Sequence, residues 1–105
     1  MLTTIIGTSM EPTLHEGEVY HIRRVRTRSE LSVGDIVIAE IDGLRVAKRI
    51  AKIHCIGNIY LYDLHGDNKK VSKNFQNVFR SEIEYKLIRP TLLTKYIRRL
   101  KDVEQ

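Results

Sequence analysis

Ile36-Val37-Ile38-Ala39-Glu40-Ile41-Asp42-Gly43-Leu44-Arg45-Val46-Ala47-Lys48-Arg49-Ile50 is the stretch from which the fold is read. Its first six residues, nearly all aliphatic, read as a buried strand. Asp42-Gly43 is the strongest short hairpin signal in the chain, because a tight two-residue turn needs positive φ at both positions. The returning strand is expected over Leu44–His54. Period-2 alternation puts Leu44, Val46, Lys48 and Ile50 on one face and Arg45, Ala47 and Arg49 on the other. The three aliphatic residues mark the first face as the inward one, so the pattern sends the Lys48 ammonium to the core side. A lone buried charge is costly, and the usual relief is a lowered pKa and a neutral amine. Such an amine is a candidate general base. A lysine snorkelling at a strand edge, or a buried ion pair, is the alternative at this point.

Working outward, Val19–Val25 reads as a strand after the turn Glu16-Gly17-Glu18. Gly57-Asn58 turns the chain into Ile59–Leu64, Gly66-Asp67-Asn68 marks a loop, and Arg80–Leu87 holds a last strand. After Pro90, Thr91–Val103 has helical spacing at Leu92, Leu93, Tyr96, Ile97, Leu100 and Val103, with Lys95, Arg98, Arg99 and Lys101 between them. The apolar side of this helix is expected to cover the barrel; contact of a basic amphipathic helix with an anionic bilayer is the alternative. The fold class is therefore mainly β: a compact, partly open β-barrel of short strands with a C-terminal helix. Residues 1–105 are expected to form a single domain.

Composition agrees. The 105 residues are 42% apolar and 30% charged, an ordinary globular balance. No apolar run approaches the roughly 18–20 residues that span a bilayer. The opening Met1-Leu2-Thr3-Thr4-Ile5-Ile6 lacks the charged n-region of an export signal. A soluble, cytoplasmic protein is the expectation, or a membrane-anchored one if a further segment precedes Met1. The net charge of +5 comes from 18 basic and 13 acidic residues, concentrated in Arg23–Arg28 and Lys95–Lys101. A solvated face explains such runs without a nucleic-acid partner, and none is expected. His15, His21, His54 and His65 include no pair spaced like zinc ligands, and a single cysteine cannot build a disulfide or a multi-cysteine metal site. Neither a metal nor a cofactor is implied. In Ile53-His54-Cys55-Ile56 the thiol reads as buried and structural.

The other informative segment is Gly7-Thr8-Ser9-Met10-Glu11-Pro12-Thr13-Leu14, a glycine-introduced turn carrying a serine and then a proline-set turn. A serine nucleophile needs an adjacent base, and no Asp/His pair with recognisable spacing accompanies Ser9. Lys48 is the candidate. Together the two segments resemble the serine and lysine boxes of the serine–lysine peptidase clan of signal peptidase I and LexA-type repressors. Val46-Ala47-Lys48-Arg49-Ile50 is similar to the lysine box, and Val33-Gly34-Asp35-Ile36-Val37 fits a connecting strand. Gly66-Asp67-Asn68-Lys69-Lys70-Val71-Ser72 is similar to the Gly-Asp-Asn box of signal peptidases. By that resemblance Ser72 takes the position whose hydroxyl supports the catalytic lysine. Lys73-Asn74-Phe75-Gln76 departs from the box where an Asp and a Ser-Arg pair would follow, leaving Asp67 as the expected partner of Arg49. The box favours the signal-peptidase branch, whereas the short spacing from Ser9 to Lys48 is closer to the compact repressor branch.

The resemblance implies a serine endopeptidase that cleaves another protein through a Ser9–Lys48 dyad and an acyl-enzyme, in signal-peptidase-like processing. Ser72, Asp67 and Arg49 support the dyad in that reading. The substrate would lie as an extended strand beside the barrel edge. The alternatives are a non-catalytic relative acting as a binding module, or the effector half of a self-cleaving repressor. With eight residues ahead of Ser9, action on another chain is expected over cleavage in cis.

Overall fold

The longest strand organises the molecule. In the computed structural model, which describes residues 1–71 and 73–104 (side chains through residue 100), β4 runs over Leu44–Ile56. Its first half pairs antiparallel with β3 (Ile36–Ile41), from Ile41↔Leu44 to Ile36↔Arg49. The turn between them is Asp42-Gly43, with φ of 52° and 78°, the pair of left-handed conformations that glycine and aspartate tolerate best. From Arg49 onward the opposite edge of β4 pairs with β5 (Ile59–His65).

The described residues form a seven-stranded antiparallel sheet, ordered β1-β2-β7-β3-β4-β5-β6 and not closed. The remaining strands are β1 (Leu2–Thr4), β2 (Val19–Arg24), β6 (Phe75–Phe79) and β7 (Ile83–Pro90); helix α1 (Leu92–Glu104) follows. The mainly β, partly open architecture is as the sequence pattern predicts. β1 and β6 were not foreseen, and the last strand begins at Ile83 rather than Arg80. There a turn of 3-10 helix intervenes, with Glu82 accepting the backbone N–H of Phe79.

Strand alternation separates two cores. Val37, Ala39, Ile41, Ile50, Tyr62, Leu64 and Ile83 pack on one face, with Val46 against them. Ile5, Met10, Leu14 and Tyr20 pack on the other, with Ile36, Ala47 and Leu87. The second core exists because the Ile5–Leu14 loop folds back over the sheet.

Two expectations need correction. Cys55 is exposed, not buried, because the end of β4 projects beyond the core: its neighbour Ile56 is 65% exposed, and the thiol donates to the Gly57 carbonyl. Helix α1 does dock on β2, but not through its apolar side. Thr94 is buried, accepting from the Val19 N–H (2.8 Å) and donating to the Val19 carbonyl (3.0 Å). Arg98 grips Glu18 through two bonds of 2.6 and 2.9 Å, while Leu92, Leu93, Tyr96, Ile97 and Leu100 stay exposed.

Candidate active site

Lys48 follows from the hairpin register. The two-residue turn fixes Ile41 opposite Leu44, and four residues on, Lys48 shares a face with Val46 and Ile50. It is 4% exposed. Among the described residues no carboxylate or hydrogen-bonding side chain pairs with it. Burial holds its pKa below the usual lysine range, because removal from water penalises the charged form. Neither the snorkelling lysine nor the buried ion pair describes it.

The edge of β4 beside Lys48 is open. Both backbone groups of Ile50 bond toward β3, the N–H to Asp35 and the carbonyl to Gly34. By alternation Leu44, Val46 and Lys48 also point their backbone groups to β3, and Arg45 and Ala47 point theirs away. Among the described residues no strand pairs that outer edge before Arg49 meets His65. A cleft of about 280 Å³ lies along it, lined by Ile5–Gly7, Ser9 and Met10 on one side and Arg45–Lys48 on the other. Ser9 and Lys48 thus line the same cleft, from different elements. It shares Ile5, Ile6 and Arg45–Ala47 with a neighbouring hollow that reaches Thr3, Thr4 and Ile38. The combined groove runs between the outer edge of β1 and the unpaired edge of β4.

The loop that carries Ser9 is held from outside the hairpin. Gly7 enters it at φ +83°, a conformation a side chain resists. The Asn68 backbone N–H donates to the Ser9 carbonyl (2.9 Å), and the Asn68 side-chain amide donates to the Thr8 carbonyl (3.0 Å). Asp67 accepts two bonds from Arg49 (2.9 and 2.7 Å) and one from the Thr13 hydroxyl (2.6 Å). The bond from Arg49 outweighs burial and holds the Asp67 carboxyl below the ordinary carboxylate range. Arg49 also donates to the Gly34 carbonyl (2.7 Å). The Gly66-Asp67-Asn68 loop therefore ties the serine loop to the strand that carries Lys48. Arg49 and Asp67 are brought together, the pairing that the departure from the Gly-Asp-Asn box implies; the supporting place given to Ser72 lies outside the described residues.

Three contributors escaped the sequence. Asn68 is the direct clamp on Thr8 and Ser9, Thr13 joins Asp67 to the serine loop, and Lys73 lines the cleft with its ammonium 5.3 Å from the Phe75 ring centroid. The position of Asn68 beside Asp67 was the available signal for the first; nothing local marks the other two.

A family model described as Peptidase S24-like matches residues 1–84. The chain belongs to the Peptidase S24-like family. The match includes Ser9, Lys48, Arg49 and Asp67 of this S24-like chain and stops before α1. It agrees with the resemblance to the serine–lysine clan and supports a peptidase-related fold. No match was found among curated proteins or among solved structures.

Proposed function

We propose that this S24-like chain is a serine endopeptidase acting on another protein, with Ser9 as nucleophile and Lys48 as general base. The observation that carries the reading is a buried lysine, without a carboxylate partner among the described residues, lining one cleft with Ser9. Neutral Lys48 takes the proton from the Ser9 hydroxyl as Oγ attacks the substrate carbonyl carbon, giving a tetrahedral intermediate. Collapse breaks the C–N bond; the lysine returns the proton to the leaving amine, and an acyl-enzyme remains. Water, deprotonated by the same amine, then releases the acyl group and regenerates the hydroxyl. The oxyanion is assigned to the Ser9 backbone N–H, and Gly7 offers no side-chain donor to share it.

Among the described residues no strand pairs the backbone groups that Arg45 and Ala47 present to the groove, so an extended peptide adding itself to that edge would pass between Ser9 and Lys48. Ser72 is given the lysine-supporting role by resemblance, and Asp67 and Arg49 the role of holding the serine loop. The Gly-Asp-Asn segment favours signal-peptidase-like processing as the form this activity takes.

The test is mass-spectrometric cleavage of a peptide library by wild type, Ser9→Ala, Lys48→Ala and the double variant. Each single variant should lose cleavage, and the double should be scarcely worse, because the pair acts as one unit. The wild-type rate should rise with pH through one ionisation below the ordinary lysine value of about 10.4. Retention of most activity by Lys48→Ala would overturn the dyad. A folded wild type that binds library peptides without cutting them would make the chain a binding module.

A further inference from the structure

Helix α1 is mounted inside out. A surface helix ordinarily turns its apolar stripe to the core and its polar side to water. Here the side turned to the sheet is polar: Thr94, 2% exposed, holds both backbone groups of Val19. Arg98 bonds Glu18, the Tyr20 hydroxyl (2.6 Å) and the Thr13 carbonyl (3.0 Å). Those bonds fix which way the helix faces. At about 100° per residue, Leu92, Leu93, Tyr96, Ile97 and Leu100 fall on one arc of roughly 140°, opposite Thr94 and Arg98. They are 82%, 61%, 60%, 39% and 47% exposed.

Such a contiguous outward apolar face calls for a partner. Its border says which kind. From Leu92 to Leu100 the helix has three cations and no acid. Arg98 is engaged with Glu18, which leaves Lys95 and Arg99, both exposed, along one margin of the arc. An apolar strip edged by cations, with a tyrosine in its middle, matches the boundary between anionic headgroups and acyl chains. Thirteen residues make a helix of about 20 Å, too short for the roughly 30 Å hydrocarbon layer, so it would lie in the plane of the surface. A second copy fits less well. A stable protein interface takes roughly 20–30 residues a side, and an antiparallel two-fold pairing would set the Lys95/Arg99 margin of one copy against that of the other.

We propose that the outward face of α1 docks this protein on anionic lipid bilayers. The five apolar side chains enter the headgroup boundary, and Lys95 and Arg99 meet the lipid charge. The polar side remains bound to β2, so docking leaves the sheet and its groove intact. The proposal does not depend on the activity of the groove.

The test is co-sedimentation of the full chain with vesicles of phosphatidylcholine alone and of phosphatidylcholine containing phosphatidylserine. Binding is expected to the anionic vesicles, weakening as salt is raised. The Lys95→Gln/Arg99→Gln variant should lose about 30-fold in partitioning, from roughly 1 kcal/mol per cation. Leu93→Ser/Tyr96→Ser should abolish binding while circular dichroism and the melting temperature stay those of wild type, because both positions face outward. The chain has no tryptophan, so Tyr96→Trp supplies a single reporter whose emission should shift to the blue on anionic vesicles only. Absence of binding, or equal binding to both vesicle types, would overturn the proposal. So would a lipid-free dimer in sedimentation velocity that Leu93→Ser disperses, which would assign the face to a second copy.

Discussion

Replacing Glu18 by Gln removes one charge from the cluster that joins α1 to β2 and to the serine loop. The Glu18 side chain is 7% exposed and that of Arg98 41%. Burial alone would push the Glu18 carboxyl up. The bonds from Arg98, the His15 backbone N–H and the Tyr20 hydroxyl outweigh it and hold the pKa at about 2. Against an ordinary value of 4.5, at 1.36 kcal/mol per unit, the charged form is favoured in the folded state by about 3 kcal/mol. Because Arg98 keeps water on one side, the loss in Glu18→Gln is set at about 2–3 kcal/mol near pH 7. For a domain of this size that is a fall in Tm of about 10 °C. The sign follows from the depressed pKa: the stabilisation is complete above pH 4.5 and is lost as pH falls toward 2. Urea unfolding of wild type and Glu18→Gln across that range should therefore show two midpoints converging in acid. A variant within 0.5 kcal/mol of wild type at pH 7, or a gap undiminished at pH 2, would refute the account of the cluster.

Lys48→Met should stabilise the fold by about 1–3 kcal/mol at neutral pH, since an apolar chain of similar length replaces a buried ammonium. Burial lowers the folded-state pKa, so this advantage should fade as pH climbs toward the unfolded value of about 10.4, a convergence that melting curves would reveal. Asp67→Asn weakens the Arg49 bonds and should cost about 1–2 kcal/mol, again vanishing in acid as the wild-type carboxyl protonates; equal urea midpoints at pH 7 would show that the pair contributes nothing. Gly7→Ala meets no atom within 4 Å, so its cost is that of a left-handed backbone alone, about 1–2 kcal/mol, and Gly7→Asn should recover part of it by the same measurement.

The hairpin was legible because its information is local. Asp42-Gly43 allows one kind of turn, and alternation from Leu44 then places Lys48 without reference to the rest of the chain. β1 has three residues and no room for a pattern. β6 hides behind Gln76 and Asn77, the latter at φ +56°, with only Val78 buried. The helix is legible in the sequence as a helix, but its docked side is not. Its periodicity reports an apolar stripe, while what fixes the stripe's direction is a set of bonds from Thr94 and Arg98 to Glu18, Val19 and Tyr20, far off in sequence. The same limit applies to the site. The Lys48 side of the cleft could be read from one strand, but the clamp of Asn68 on Thr8 and Ser9 joins segments that only the folded chain brings together.

Lys48 and Arg49 are neighbours with opposite fates: one is buried beside Val46 and Ile50, the other turned to Asp67. What separates them is whether the count from the turn is even or odd. Loss of one residue between Leu44 and Lys48 would leave the hairpin and its ladder formed and move the arginine into the lysine's place. A guanidinium keeps its proton at any pH a protein meets, so it could hold charge there but could not fill the general-base role proposed for Lys48. In this stretch a change of length is more damaging than most changes of residue. The short, fixed distance from Asp42-Gly43 acts as a reading frame that decides which cation is buried, written in backbone steps rather than in side chains.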